Sequence, residues 1–260
     1  MHYSSAEIEL KYDRELWICN KCKSGFIQHI IDKDTSERLY EQYDSSKRWH
    51  QGAAFKESKT NNVLNIVNRL FTDAKSVLDI GCNTGELLDH AKLCGCKTYG
   101  MEYSRTAADI CISKGHSLIA ESQIAGMKFD IITAFDVVEH VCDIGNFVDL
   151  CHSALASKGK LILLTGNINS LPAKLCKQKW WYVSPAEHII FPSREFFSQL
   201  AKWNLSKWVR CYNSKSFIPG SWTRIKYTVA GLMRNYYSAY YSFVPDHALI
   251  VLEKKSGMNS

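Results

Sequence analysis

The chain has 260 residues, of which 46% are hydrophobic and 22% are charged. This composition is that of an ordinary globular protein with room for one large α/β domain, and it excludes the disordered, repetitive and collagen-like classes. A net charge of +6, from 32 basic and 26 acidic residues, is mild. It disfavours a dedicated nucleic-acid-binding protein, which concentrates positive charge more strongly.

Targeting signals are not apparent in the sequence. The first residues show no basic segment followed by an apolar one, so no signal peptide is predicted. Basic residues such as Arg224 and Lys226 interrupt the aromatic stretch 217–244, which argues against a membrane-spanning helix. The ten cysteines do not follow the spacing of a disulfide framework. We therefore expect reduced thiols and a cytoplasmic protein.

Residues 1–35 are polar and are predicted to form a small N-terminal appendage. Within it, Cys19 and Cys22 form a Cys-x-x-Cys pair that resembles one knuckle of a zinc ribbon. Tetrahedral zinc needs four ligands, and no second Cys-x-x-Cys follows, while His2 and His29 do not have a persuasive spacing. The prediction is a degenerate, metal-free knuckle, and no metal site is expected.

A regular alternation of strands and helices follows a helical stretch in residues 36–72. Seven strands are predicted, at Ser76–Ile80, Lys97–Glu102, Leu118–Ala120, Phe129–Ala134, Lys160–Leu164, Leu205–Tyr212 and Ala248–Leu252. Helices are predicted at Glu86–Leu93, from Ser104 to Ile112, at Asn146–Ala156 and after Ser193. This alternation predicts a Rossmann-like, doubly wound α/β domain over residues 36–260, with a mostly parallel seven-stranded sheet. The last two strands lack a crossover helix between them, so they are expected to form an antiparallel edge.

A glycine-rich turn, residues 81–85 (GCNTG), joins the first of these strands to a helix. Glycine lets a ligand approach the backbone, and a helix N-terminus offers free N–H groups, but the Gly-x-Gly-x-x-Gly pattern of dinucleotide sites is missing. Asp79, just before the turn, disfavours a pyrophosphate and suits a cationic amino-acid ligand. Glu102 lies 21 positions after Gly81, near the offset of about 20 at which a carboxylate binds ribose hydroxyls. These features predict a nucleoside ligand with little phosphate.

The segments Val77–Gly85 and Phe129–Val141, together with Glu102, resemble the motifs of class I S-adenosylmethionine-dependent methyltransferases, especially the group that includes the ubiquinone-biosynthesis O-methyltransferases. The resemblance covers about residues 60–165. Asn83 stands where the family often has glycine, and since asparagine tolerates left-handed geometry, the turn is expected to survive. The resemblance implies S-adenosylmethionine as cofactor and S-adenosylhomocysteine as product. The cofactor-binding residues it implies are, along the chain, Asp79, Gly81, Cys82, Asn83, Gly85, Glu102, Tyr103, Glu121, Ser122, Phe135 and Asp136.

Two Glu-His pairs could supply the general base that assists methylation of a hydroxyl or carbon acid. Glu139-His140 follows the fourth strand, where the family places its acceptor pocket; the alternative is a capping carboxylate and a structural histidine. Glu187-His188 lies at about 166–192, in a segment that resembles the insert of sugar- and lipid-modifying members. His188 is the preferred base, and a structural histidine is again the alternative. The predicted catalytic residues are His188, Glu187 and His140, and the predicted substrate-binding residues are Glu139, Trp181 and Tyr182.

Aromatic and basic residues interleave at about 213–245. This pattern suits an anionic or carrier-linked acceptor, or peripheral contact with a membrane, and ordinary core packing is the alternative. No oligomeric state is predicted.

The predicted function is methylation, most simply at oxygen, of a small molecule such as a sugar, a glycan or lipid precursor, or a quinone-like compound. A nucleic-acid or tRNA methyltransferase is disfavoured because the Asn-Pro-Pro motif used for base amines is replaced by residues 134–137 (AFDV). A non-catalytic protein that binds S-adenosylmethionine is disfavoured because Asp79 and Glu102 are both present.

Overall fold

The computed structural model describes residues 15–27, 63–124, 126–183, 188–211 and 245–255. The strands are β1 (Leu16–Ile18), β2 (Gly25–Ile27), β3 (Ser76–Ile80), β4 (Lys97–Met101), β5 (Ser117–Leu118), β6 (Phe129–Phe135), β7 (Leu155–Gly166), β8 (Ile190–Phe191), β9 (Trp203–Cys211) and β10 (His247–Lys254). The helices are α1 (63–71), α2 (Glu86–Leu93), α3 (Arg105–Ser113), α4 (Glu121–Ile124), α5 (Ile144–Ala154), α6 (Leu171–Cys176) and α7 (Arg194–Ser198). Short 3-10 helices occupy Val138–His140, Lys177–Lys179 and Trp181–Val183.

The predicted doubly wound sheet is confirmed. Its seven strands lie in the order β5-β4-β3-β6-β7-β10-β9. The neighbours from β5 to β7 are parallel, whereas β10 is antiparallel to both β7 and β9. Because β10 runs the opposite way, its first residue, His247, pairs with Gly166 at the end of β7. The start of β10 therefore lies at the same edge as the carboxyl ends of the parallel strands, where α/β sheets bind their ligands.

Some element boundaries differ from the prediction. The helix expected at Asn146–Ala156 lies at Ile144–Ala154, since the carboxylate of Asp143 caps it by accepting the N–H of Asn146 at 2.9 Å. Strand β7 begins before Lys160, with a register irregularity opposite β6. The third strand, expected to reach residue 120, ends at Leu118, and α4 begins three residues later.

Helices cover both faces of the large sheet. On one face, α1, α2 and α3 pack through residues such as Phe71 and Leu88 against alternate strand residues, including Ile162. On the other face, α4, α5 and α7 pack against the intervening residues, including Leu161 and Leu163. This period of two, with both sets apolar, is what a central strand buried on both faces requires. In the described part of the chain, no helix combines the length and the apolar character needed to cross a bilayer.

A second, smaller sheet joins the described part of the N-terminal segment to the insert after β7. Its order is β1-β2-β8, and both pairings are antiparallel. Ile27 of β2 packs with Trp180, Tyr182 and Phe191 of the insert in a third apolar cluster. The backbone N–H of Ser193 also donates to the Ser24 hydroxyl at 3.1 Å. The described hairpin of the predicted appendage therefore supports the insert, while the boundary predicted at residue 35 lies outside the described residues.

Candidate active site

The glycine turn has the left-handed geometry that its sequence predicts. Gly81 and Gly85 have φ angles of 71° and 83°, and Asn83 adopts a φ of 49°. The Asn83 side-chain oxygen accepts the N–H of Thr84 at 2.7 Å, which stabilises this conformation. A Cβ on Gly81 would lie 2.7 Å from Val137, and one on Gly85 would lie 2.9 Å from Cys111. Close packing of the protein, in addition to any ligand, therefore requires both glycines.

Asp79 lies near the end of β3 and is only 4% exposed. The hydroxyl of Thr133, its neighbour on the parallel strand β6, donates to the carboxylate at 2.7 Å. Burial raises the pKa of Asp79 from 3.8 to about 7; the Thr133 hydrogen bond opposes this rise, and the charges of Glu102 and Glu86 add to it. A buried carboxylate with such a pKa is well suited to a cationic ligand, whose charge would favour its ionised form.

Glu102 is anchored between the glycine turn and the start of α3. Its two oxygens accept the backbone N–H groups of Asn83 at 2.9 Å and of Ser104 at 2.8 Å. Burial raises the pKa of Glu102, and these two hydrogen bonds oppose the rise. Each carboxylate oxygen keeps a further lone pair, so a vicinal diol could bind both.

Three further residues that the resemblance implies for cofactor binding, Tyr103, Glu121 and Ser122, lie near Glu102. The hydroxyl of Tyr103 donates to the carboxylate of Glu121 at 3.3 Å, and 43% of the Tyr103 surface is exposed. Ser122, next along α4, is also exposed. The structure thus brings these predicted residues to one edge, and their contact with a cofactor remains a prediction.

Asp136 connects the glycine turn to the predicted acceptor region. It directly follows β6, has a left-handed φ of 53°, and donates its backbone N–H to Leu164 at 2.8 Å. Its successor, Val137, is the residue that crowds Gly81. On its other side, Asp136 accepts a hydrogen bond from the hydroxyl of Tyr182 at 3.3 Å. The insert after β7 therefore reaches the glycine turn through a short series of contacts.

Glu139 is fully buried among hydrogen-bond donors. The hydroxyl of Tyr182 donates to one of its carboxylate oxygens and shares its single hydrogen with Asp136, while Thr165 donates to the other oxygen at 3.0 Å. Burial raises the pKa of Glu139; the positive charge available on His140 opposes this rise, and Asp136 adds to it. Glu139 holds Tyr182 in place, so its predicted contact with an acceptor would require Tyr182 to move.

His188 and His140, the two candidate bases, lie next to each other. Their ring centroids are 4.7 Å apart, and the His188 ring is also 4.4 Å from that of Tyr182. The Nδ1 of His188 lies 2.6 Å from the Tyr182 carbonyl oxygen. Because a carbonyl can only accept, Nδ1 carries the hydrogen, and Nε2 is the basic atom of the neutral ring.

Sequence reasoning missed Asp246 and His247, which are 2% and 0% exposed at the same edge of the sheet. The Nδ1 of His247 bonds to Asp246 at 2.9 Å, and its Nε2 lies 4.0 Å from the Asp136 carboxylate. Ligand sites in α/β sheets are sought among residues that follow the parallel strands, whereas His247 is the first residue of an antiparallel strand. The sequence did predict an antiparallel edge. Because an antiparallel strand begins at the edge where the parallel strands end, that prediction could have pointed to the polar pair before Ala248.

Several predicted residues lie outside what the structure describes. Glu187 and most of the aromatic segment 213–245 are in this group, as is the side chain of Trp181. The described Cys19 is in the β1–β2 turn, where the backbone N–H groups of Cys22 and Lys21 lower its pKa.

Glu139, His140 and His188 place their potential ligand atoms within 4.8 Å of one another, the spacing of a metal site. In the structure both Glu139 oxygens accept hydrogen bonds, one from Tyr182 and one from Thr165. The prediction that the protein uses no metal stays a prediction.

Comparisons with known proteins agree with this geometry. Residues 52–205 match a family described as "Methyltransferase domain". A ubiquinone biosynthesis O-methyltransferase of Bradyrhizobium sp. (strain ORS 278) is 34% identical over 102 residues, which are 36% of this chain and 40% of that protein. The corresponding protein of Nitrobacter winogradskyi is 35% identical over 102 residues, covering 36% and 39% of the two chains. The chain therefore aligns with about two fifths of these relatives.

Solved structures show the same fold at low sequence identity. A SAM-dependent methyltransferase from Archaeoglobus fulgidus has a TM-score of 0.53 and 18% identity, covering 80% of this chain and 99% of that one. An O-methyltransferase from a trans-AT PKS multienzyme of Brevibacillus brevis, in complex with S-adenosyl-L-homocysteine, has a TM-score of 0.52 and 14% identity, covering 89% and 84%. With the matched family spanning most of the large sheet, the chain belongs to the class I S-adenosylmethionine-dependent methyltransferases.

Proposed function

We propose that this protein transfers a methyl group from S-adenosylmethionine to an oxygen atom of a small-molecule acceptor. The observation that carries the proposal is the position of His188, whose hydrogen bond to the Tyr182 carbonyl sets its basic nitrogen. Tyr182 also bonds to Asp136, next to the residue that packs on Gly81. A candidate proton acceptor is thus built into the wall beside the candidate cofactor turn.

The residues of the turn and of the strand ends are suited to the cofactor. Asp79 offers a carboxylate to the cationic amino-acid part, and Glu102 offers two oxygens to the ribose diol. When bound, S-adenosylmethionine supplies an electrophilic methyl group on a sulfonium and leaves as S-adenosylhomocysteine. Methyl transfer is an in-line substitution, so the main task of the protein is to hold the acceptor in position.

In the proposed reaction His188 accepts the proton that the acceptor hydroxyl loses as its oxygen bonds to the methyl carbon. Its Nε2 takes this proton because Nδ1 already donates to a backbone carbonyl. His140, at 4.7 Å between ring centroids, is the alternative acceptor. A general base of this kind contributes about 10²- to 10⁴-fold to the rate.

The acceptor class is the finer part of the proposal. The relatives in Bradyrhizobium and Nitrobacter are named as O-methyltransferases of ubiquinone biosynthesis, which supports oxygen as the methylated atom. We extend this to phenols and sugar hydroxyls. An anionic or carrier-linked acceptor would need contacts from the basic segment 213–245, because the described wall contains the carboxylates of Asp136 and Glu139.

Two measurements test the proposal. Calorimetric titration with S-adenosylhomocysteine should show binding by the native protein and a large loss of affinity in Glu102→Ala. Failure of the native protein to bind would overturn the cofactor assignment.

Methyl transfer to a panel of phenols and sugar nucleotides should then fall about 10²- to 10⁴-fold in His188→Gln, with cofactor affinity unchanged. The matched control is His152→Gln, because His152 packs against Trp203 and not against the candidate site. Unchanged turnover in His188→Gln would reject His188 as the base.

A further inference from the structure

The start of β10 carries a buried pair of ionisable residues that the proposed chemistry leaves unused. Asp246 and His247 are 2% and 0% exposed, and the Asp246 carboxylate accepts a hydrogen bond from Nδ1 of His247 at 2.9 Å. The Asp246 backbone carbonyl in turn accepts the N–H of Asn167 at 2.7 Å. The pair is therefore fixed to the chain segment that immediately follows β7.

Packing alone gives no reason for this pair. Taking a carboxylate and an imidazole out of water carries a desolvation cost that their mutual attraction does not reliably repay, and apolar residues of similar size often serve equally well. The neighbouring β10 residues from Ala248 to Leu252 are buried and apolar. The buried polar pair lies at the end of the strand that meets the candidate active site.

His247 faces groups of the candidate site on its other side. Its Nε2 lies 4.0 Å from the Asp136 carboxylate, and its ring meets that of Tyr182 edge-on, with centroids 4.8 Å apart. Gly166, opposite His247 in the ladder, leaves room for Tyr182, since a Cβ there would lie 2.3 Å from the Tyr182 ring. His247 thus contacts both residues that connect the cofactor turn to the insert.

The charges around His247 favour its cationic form. Burial by itself would lower the pKa of His247, but the charges of Asp246, Asp136 and Glu139 and the Asp246 hydrogen bond outweigh burial and raise it. Among the described residues, the other titratable groups packed near it include Tyr182, on the insert, and Cys211, its ladder partner on β9. Burial raises the pKa of both of these, which keeps them neutral.

We propose that His247, clamped by Asp246, is a positioning residue: as an imidazolium it orients the Asp136 carboxylate and, through it, the Tyr182 hydroxyl at the site of methyl transfer. The proposal rests on the proposed function, because it assigns His247 a part in that reaction. Asp136 has a strained left-handed backbone and a partly exposed side chain, so a fixed positive charge beside it can restrict its orientation. Through Tyr182, the same charge also restrains the hydrogen-bonded Glu139.

Kinetics of His247→Gln test this role. We expect kcat to fall about 10- to 100-fold, with the affinity for S-adenosylhomocysteine changed less than about threefold, since a neutral amide keeps the volume but not the charge. The falling limb of the native pH profile of kcat should disappear, because it reports the loss of the His247 proton. His152→Gln is the control and should keep both kcat and the limb.

Two outcomes would overturn the proposal: an unchanged kcat, or a reduced kcat with the falling limb retained. The second would show that the loss comes from damaged packing. Thermal unfolding of each variant accompanies the kinetics. Where His247→Gln fails to fold, Asp246→Asn replaces it in the same assay; because His247 is still present, the falling limb should then move to lower pH, and an unmoved limb would overturn the proposal.

A spectroscopic measurement separates this proposal from the proposed function. NMR titration of the histidine rings in the ligand-free protein should show that His247 is still charged at pH values above 6.5, its ordinary pKa. In Asp246→Asn, the titration of His247 should move to lower pH. A neutral His247 throughout, or no movement in Asp246→Asn, refutes the clamp. If the clamp holds while the native protein binds S-adenosylhomocysteine and methylates no acceptor, the function proposed above fails instead.

Discussion

Replacing Asp79 with asparagine is expected to remove most of the pH dependence of cofactor binding. In the native protein, burial raises the pKa of Asp79 to about 7. The ammonium group of S-adenosylhomocysteine favours the ionised carboxylate, so binding and loss of the proton are linked. The affinity of the native protein should therefore rise with pH up to about 7 and then level off.

The magnitude follows from the fraction of protein that is ionised before binding. At one pH unit below the pKa, about one tenth of the carboxylate is ionised, so the dissociation constant at pH 6 should be about tenfold higher than at pH 8. The pH dependence of folding stability has the opposite sign to that of cofactor binding. Because the folded pKa lies above the ordinary 3.8, Asp79 favours folding most at low pH, and this contribution is lost as the pH rises to about 7.

Calorimetry at pH 6, 7 and 8, in buffers with different ionisation enthalpies, measures both the affinity and the number of protons released. The native protein should release close to one proton per ligand at pH 6 and almost none at pH 8. Asp79→Asn should bind more weakly at pH 8 and lose most of this pH dependence. Equal proton release by the native protein and by Asp79→Asn would refute the reasoning.

Two substitutions test how the insert is held. Gly166→Ala should lower the free energy of unfolding by about 1–3 kcal/mol, because the new methyl group would lie 2.3 Å from the Tyr182 ring. Gly126→Ala, whose added Cβ meets only Gln123 at 3.9 Å, is the control, and equal losses measured by chemical denaturation would contradict the assignment. Ser193→Ala should cost about 1 kcal/mol, since the Ser193 side chain caps α7. Ser104→Ala is the control, because Ser104 is an N-cap serine whose side chain makes no capping hydrogen bond. A shift in thermal midpoint as large in Ser104→Ala as in Ser193→Ala would contradict the capping argument.

The sheet could be predicted from the sequence because its signals are local. Strands such as residues 161–164 are apolar on both faces, and glycines or serines mark the ends of the helices. The start of β7 could not be predicted, because the strand continues through an irregular register opposite β6 that depends on the neighbouring strand. The helix expected from Asn146 begins earlier because the Asp143 cap determines its start.

In the candidate site, too, features set by local sequence could be predicted and contacts between distant segments could not. The positions of Asp79 and Glu102 beside the glycine turn were predictable because each stands at the end of a strand, and their contacts with a cofactor stay a prediction. The contact of Tyr182 with Glu139 joins residues 43 positions apart, and no spacing rule relates them. His247 was missed because sequence reasoning considered the residues that follow parallel strands and not the start of the predicted antiparallel strand, which pairs with the end of β7.

The pairing of β2 with β8 has a consequence for how the insert after β7 assembles during folding. The Ser193 side chain donates to the carbonyl of Cys22 across 171 positions of sequence, and His247 approaches Tyr182 from the other end of the chain. Contacts between such distant segments carry a large loop-closure cost and form slowly. The central strands, joined by short helical crossovers, can build the glycine turn earlier. A fragment that begins at residue 36 would keep the glycine turn but would lack Ile27, which packs in the third apolar cluster. We therefore expect this truncation to reduce turnover more than it reduces cofactor affinity.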